Sequence, residues 1–202
     1  LYFSYTIEDE SNPEHFTTAV SRATLDGTAL SDVQQILVAL PGVKTTSNFG
    51  GALAFGGDGY LYVGTADRGI NTPSKTPSDP NGKILRIDED GEVPADNPFV
   101  DNPDYDPRVY ATGIRNPQGL VYDAMTQRLY ETEHGPLGGD EINIIEAGKD
   151  YGWPTVSWGQ KYKAQKIGVG GVLDGMEQPF YFYLPSIATS PIESYRGDMF
   201  PE

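Results

Sequence analysis

One ungapped internal repeat limits this chain more than anything else in it. GALAFGGDGYLYVGTADRG (51–69) lies over GLVYDAMTQRLYETEHGP (119–136), with Gly51 on Gly119, Leu61 on Leu129 and Tyr62 on Tyr130. Each copy reads as a strand, a tight turn, a Leu-Tyr strand and a polar loop. Each is followed by a further strand, KILRID (83–88) in one case and EINIIE (141–146) in the other. Units of three or four antiparallel strands that recur along a chain are the sequence signature of propeller blades. A β-sandwich whose hairpins merely resemble one another is the weaker alternative, because it does not account for the shared register or the matching third strand.

The remaining strand signals agree. They are LYFSYT (1–6), FTTAVSRATL (16–25), VYATGI (109–114) and PFYFYL (179–184), rich in aromatic and β-branched residues. Between the strands fall 24 glycines and 16 prolines, which act as turn punctuation. ALSDVQQILVAL (29–40) is compatible with one or two helical turns or with a strand and turn. The expectation is an all-β chain forming one domain over 1–202, a β-propeller. At roughly 40–50 residues per blade it would hold about four blades.

Charge and composition narrow the partners. Lys and Arg number 14 against 29 Asp and Glu, a net charge of −15, which repels nucleic acid and anionic membrane surfaces. The chain has no cysteine, which rules out disulfides, thiolate nucleophiles and cysteine-based zinc sites. No apolar run reaches membrane-spanning length, and Leu1 opens a strand-like stretch with no basic region before it. A soluble chain from which any export signal has been removed is expected.

Three segments carry more than strand patterning. In ATGIRNPQGL (111–120), Arg115 and Asn116 stand where a strand ends and Pro117 imposes an extended turn, aiming polar side chains out of the sheet end. An isolated Arg-Asn-Pro is more commonly a surface arginine beside a turn. In EHGPLGGDEIN (133–143), Gly135, Gly138 and Gly139 free the backbone so that carbonyls can converge on a hard cation, with Asp140 and Glu141 nearby. A plain polar turn with a surface carboxylate pair fits this stretch equally well. His134 beside Glu133 suggests a base and its orienting carboxylate, but neighbours on a strand face opposite ways. In EAGKDYGWP (146–154), Tyr151 and Trp153 follow a strand exit, where aromatic residues more often fill a core than bind a ligand.

Taken in order, GGALAFGGDGYLYVGTADRG, NGKILRIDEDGEVPADNPF, ATGIRNPQGL, EHGPLGGDEINIIEAGKDYGWP and PFYFYLPSIATSP resemble the soluble glucose/sorbosone or aldose dehydrogenases. That family uses pyrroloquinoline quinone (PQQ) with calcium. The resemblance implies a six-bladed propeller with the cofactor on its axis, in a periplasmic or extracellular protein that oxidises the anomeric carbon of an aldose to a lactone. It further implies that Arg115 and Asn116 meet the quinone oxygens, that His134 lies beside the cofactor, and that Tyr181 lies against cofactor or substrate. The carbonyls of Gly135 and Pro136 would ligate the calcium that holds the quinone, with Asp140 close by. Glu141 and Tyr151 would belong to a second, structural calcium site.

Two departures from the family pattern bear on function. Family members carry a catalytic His just before the glycine pair that opens the LAF strand, and an Arg just after it; these positions are Asn48 and Ala52 here. An amide does not accept a proton at neutral pH, so Asn48 holds the place of the base without its chemistry. Further along, Leu184 stands where a Trp can occur, and Ser190-Pro191 replaces a small flexible pair. The second departure is length, since six blades need about 300 residues at roughly 50 per blade. Further segments are expected beyond Phe200-Pro201, bringing more basic residues for the cofactor's carboxylates. Open blade edges would then be covered by another chain or by self-association. The alternatives implied are a non-catalytic propeller module that binds glycans or proteins at the same end, and a structural subunit of an extracellular assembly.

Overall fold

A computed structural model describes residues 1–199. Phe200 and Pro201, beyond which further segments are expected, lie outside the described residues. The strands are β1 (Tyr2–Glu8), β2 (Phe16–Asp26), β3 (Ala29–Val38), β4 (Gly50–Phe55), β5 (Leu61–Thr65), β6 (Lys83–Ile87) and β7 (Val109–Ala111). They continue as β8 (Pro117–Asp123), β9 (Arg128–Glu133), β10 (Asp140–Ile145) and β11 (Tyr181–Tyr183). One short 3-10 helix spans Thr72–Lys75. The ambiguous segment after residue 28 is strand β3, paired with β2 from Ala19↔Val38 to Asp26↔Ala29.

The strands form three antiparallel sheets, in the orders β1-β2-β3, β4-β5-β6-β7 and β11-β10-β9-β8. Length alone gives about four blades at roughly 50 residues each; three form because residues 88–108 and 146–180 are mostly turn and loop. The architecture is that of a partial β-propeller. Among the described residues no helix is long and apolar enough to cross a membrane.

The repeat governs the second and third sheets. Gly59 and Gln127 hold the same place in the two copies, and both adopt left-handed backbone, φ 82° and 55°. Each closes a hairpin whose register is set by the pairs Phe55↔Leu61 and Asp123↔Arg128. A glycine enters this conformation without cost; a glutamine in the second copy accepts some strain.

Alternation along the strands divides the core in two. Leu61 and Val63 of β5, with Leu85 and Ile87 of β6, pack on Val20 and Leu37 of the first sheet. Tyr62 and Ile84, one residue out of phase, face the opposite way and pack on Leu120, Leu129 and Ile145 of the third sheet. Burying each of these side chains contributes about 1.5–3 kcal/mol. The two cores therefore hold the middle sheet between its neighbours, and β4 comes to lie against β8.

Candidate functional site

Because β5 and β9 run the same way in their repeats, the chain leaves both at one end of the sheets. Asp67, Arg68, His134 and Gly135 emerge there, and Asn48 and Asn116 enter β4 and β8 beside them. Backbone bonds tie the loops together: Asp67 N donates to Arg115 O (2.8 Å) and His134 N to Asn116 O (3.1 Å).

Arg115 is the centre of this end. Its backbone N–H and that of Asn116 donate to Glu133 Oε2, at 2.6 and 3.1 Å. Its guanidinium Nη1 donates to the carbonyl oxygens of His134 and Gly135, while the guanidinium carbon lies 5.2 Å from the centroid of the Trp153 ring. Arg115 Nε is buried with no partner among the described residues. His134 does not pair with Glu133; its Nε2 lies 2.8 Å from Thr189 O.

A small cavity of about 10 Å³ collects Arg115, His134, Gly135, Pro136, Glu141 and Tyr151 in its lining. That is room for a single water-sized particle. The other expected site residues are placed differently. Asp140 lies beside the cavity with its carboxylate fully engaged, accepting from Gly135 N (2.9 Å), Ser186 Oγ (2.7 Å), Ile187 N (3.0 Å) and Ala188 N (2.7 Å). Burial raises its pKa, but these four donors outweigh burial and hold it below the ordinary value. Tyr151 uses its hydroxyl to close the exit of β10, donating to Ile144 O and accepting from Glu146 N. Tyr181 is 53% exposed and packs edge-on against Tyr183, away from the cavity lining.

Asn48 reaches the same end through a residue that motif reading did not single out. Its Nδ2 donates to Asp67 Oδ1 (2.8 Å), which also accepts from Gly69 N, and Trp153 Nε1 donates to Asp67 Oδ2 (2.8 Å). Asp67 is fully buried. The signal that could have found it is the repeat itself, whose ungapped register sets Asp67 on Gly135.

Behind the cavity lie three carboxyls. Glu133 and Glu141 are directly opposite across the β9–β10 ladder, as are Glu131 and Asn143. Glu131 and Asn143 are fully buried, and Asn143 Nδ2 donates to Glu131 Oε2 (3.0 Å). Glu131 Oε1 and Asn143 Oδ1 have no partner among the described residues. Burial, and then repulsion from Glu133, pushes Glu131 and Glu141 well above the usual carboxylate range. Glu133 is raised by burial to about 7, against the pull of the two amides it accepts from.

Such groups hold protons more firmly folded than unfolded, so their stabilisation is present in acid and is lost as pH rises. For Glu133 the loss runs from its ordinary 4.5 to about 7. Asp9 and Asp123, lowered by hydrogen bonds to about 2, titrate below this window. Without added metal, the urea midpoint is expected to fall between pH 5 and pH 8 by a loss on the order of 2 kcal/mol. Glu131→Gln with Glu141→Gln makes the profile shallower, Glu133→Gln added to them flattens it, and a flat wild-type profile contradicts the account.

The donor set fits a hard cation such as calcium. A Cβ at Gly135 would fall onto the carbonyl oxygens of both Gly138 and Gly139, so the turn brings backbone oxygens together at one point. Unpartnered carboxylate and amide oxygens stand behind it. Among the described residues no group of three or more His, Asp or Glu side chains could hold a metal, so a cation here depends on carbonyls. The same end fits an anionic quinone, since Arg115 keeps an unpartnered Nε and the Asn116 side chain has no protein partner among the described residues. Gly135→Ala should cost about 2 kcal/mol or more by overpacking this turn, read as a lower thermal midpoint; a midpoint within error of wild type would show that the turn gives way.

Fold and site together define a class: part of a β-propeller whose one end gathers a guanidinium, an aromatic plane, converging carbonyls and buried carboxyls. The chain belongs to the glucose/sorbosone dehydrogenase family, whose model matches residues 1–202. It is 33% identical over 204 residues to the aldose sugar dehydrogenase YliI of Escherichia coli (strain K12), covering 100% of this chain and 55% of that protein. It is also 33% identical over 141 residues to quinoprotein glucose dehydrogenase B of Acinetobacter calcoaceticus, covering 60% of this chain and 28% of that protein. The crystal structure of the soluble aldose sugar dehydrogenase from Escherichia coli in the apo-form superposes with a TM-score of 0.94 at 34% identity, over 99% of this chain and 58% of that one. The PQQ-bound aldose sugar dehydrogenase of Streptomyces coelicolor superposes with a TM-score of 0.67 at 30% identity, over 90% of this chain and 49% of that one. The chain thus spans about half the length of the curated relatives that match it throughout.

Proposed function

We propose that this chain carries the cofactor end of a PQQ- and calcium-dependent sugar dehydrogenase, periplasmic or extracellular, acting on the anomeric carbon of aldoses. The observation that carries the reading is the ion-sized cavity where Arg115, His134, Gly135, Pro136 and Glu141 meet, which would seat the calcium and not the quinone itself, in a chain 34% identical to a solved aldose sugar dehydrogenase.

Bound PQQ would supply the hydride-accepting chemistry that no amino-acid side chain provides. The protein's part is positioning and charge. Arg115, Asn116 and His134 would hold the quinone, and Gly135 and Pro136 would offer carbonyls to calcium, with Asp140 fixing their turn. Trp153 braces Arg115 on one side and Asp67 on the other. A second calcium at Glu141 and Tyr151 would neutralise the buried carboxyls.

Proton removal from the sugar hydroxyl is the weak step. The position beside Asp67 where the family resemblance would put a base holds an amide, Asn48, whose Nδ2 is already donating. Asn48 and Ala52 together favour one other reading, a propeller module that binds glycans or proteins at this end without turnover.

Calorimetry with PQQ and calcium, followed by dye reduction with a panel of aldoses, tests the proposal. Quinone binding with slow, aldose-dependent reduction supports it. Quinone binding without reduction leaves the binding module, and no quinone binding overturns the reading of this end.

A further inference from the structure

At the opposite end of the same blade seam lies a larger cavity of about 370 Å³. It is built from the β4–β5 turn (Gly56, Gly57, Asp58), the β8–β9 turn (Gln127, Arg128) and the exit of β10 (Glu146). Because the strands are antiparallel, these turns stand a full strand length from Asp67 and His134. The volume is within the range of small-molecule sites, about 300–1,000 Å³.

Three tyrosine rings wall the cavity, Tyr62, Tyr110 and Tyr122, and two of them are held rigidly. Tyr62 meets Tyr110 edge-on with centroids 5.0 Å apart, and its hydroxyl donates to Asp58 Oδ2 (2.8 Å). Asp58 is in turn paired with Arg86 at 2.9 Å, and the Arg86 guanidinium lies over the rings of Tyr60 (4.1 Å) and Tyr110 (5.8 Å). Asp58 is thereby neutralised and the wall fixed. Two glycines admit the rings: a Cβ at Gly56 would fall onto Tyr62, and one at Gly57 onto the Tyr122 hydroxyl.

The mouth is polar and unused. Arg128 and Glu146 line it, both exposed, and neither side chain has a hydrogen-bond or ion-pair partner among the described residues. The same holds for the Gln127 amide and the Tyr122 hydroxyl. One cation, one anion, an amide and a hydroxyl around an aromatic wall carry no net preference for a charged ligand. They suit a compact neutral ring with an apolar C–H face for the tyrosines and hydroxyls directed outward in several directions.

We propose that this cavity is a second, non-catalytic binding site for a neutral pyranose, free or at the end of a glycan. A ring stacks its C–H face on Tyr122 and Tyr110 while its hydroxyls bond with Arg128, Glu146 and Gln127. The site does not depend on the quinone reading of the other end. It also makes no use of the anomeric hydroxyl that oxidation requires.

Methyl β-D-glucopyranoside, which has no free anomeric hydroxyl and is not a substrate for anomeric oxidation, is the probe. Titrated into the whole chain without quinone, it should shift the amide resonances of Gly57, Arg128 and Ala147, leaving His134 and Gly135 unmoved. Arg128→Ala with Glu146→Gln, both at exposed positions, should weaken binding about tenfold or more while keeping the wild-type amide spectrum. Tyr122→Leu should remove the response. The proposal is overturned if the glycoside moves nothing at its solubility limit. It is equally overturned if shifts are confined to His134 and Gly135, if they survive all the substitutions, or if free phenylalanine binds at these residues and the glycoside does not.

Discussion

Replacing Asn48 with His is expected to raise aldose-dependent dye reduction in the presence of PQQ and calcium by about 10²–10⁴, the usual worth of a general base. The geometry is prepared for it. Asp67 Oδ1 lies 2.8 Å from Asn48 Nδ2, so an imidazole Nδ1–H at that position meets a buried carboxylate that fixes its tautomer and raises its basicity, leaving Nε2 to take the proton. The backbone at Asn48 is left-handed, φ 55°, a region that His tolerates better than most residues. Asp67→Asn added to Asn48→His should remove most of the gain while leaving quinone binding intact. If Asn48→His binds quinone and sugar yet shows no gain, proton removal is not what limits this site.

The second large effect concerns Arg68. Its side chain is fully buried and bridges elements from different sheets, donating to Asn48 O (3.0 Å) and Phe49 O (2.8 Å) at the entrance of β4, to Thr18 Oγ1 (2.9 Å) on β2, and to Asn81 Oδ1 (2.6 Å) ahead of β6. Burial draws its pKa down to about 10, so it remains charged at neutral pH. Arg68→Leu leaves Asn81 Oδ1 buried without its donor and takes one donor each from Asn48 O, Phe49 O and Thr18 Oγ1, which keep other bonds; the loss should cost about 3 kcal/mol. In a domain of this size that is a fall of roughly 6–12 °C in thermal midpoint. Arg68→Lys should recover only a fraction, since one ammonium cannot serve acceptors on both sides of a planar fork. A midpoint within about 2 °C of wild type for Arg68→Leu would mean that water or a local shift replaces the network. Because Arg68 also fixes the Asn48 carbonyl, its loss should blunt the gain from Asn48→His.

Both effects turn on residues that local sequence reading treats differently from the structure. Arg68 and Asp67 sit in TADRG (65–69), where a charged pair before a glycine reads as an exposed turn. Nothing within a few residues shows that Asp67 meets Trp153 or that Arg68 meets Thr17 and Thr18. Tyr151 and Trp153 read as core aromatics. Both are buried, and Trp153 in addition joins Arg115 to Asp67. Asp140 and Glu141, adjacent in sequence, also separate: one carboxylate is saturated by four donors, and the other is buried opposite Glu133.

The sequence by itself determined the all-β class, the positions of every strand but β3 to within a few residues, and the hairpin repeat that makes the second and third sheets alike. Strand identity depends on period-two alternation and turn chemistry, which are local and written in consecutive residues. That an amide, Asn48, stands at the family's base position is a proposal resting on residue identity and the family resemblance alone. Only the tertiary structure decided that Asn48, Asp67, Trp153, Arg115 and Gly135 form one connected end, and that three glutamates share a buried interior behind it. Those relations are set by how two cores orient the middle sheet against its neighbours. A pKa or an orphaned oxygen arises from what surrounds a group in space, not from what precedes it in the chain.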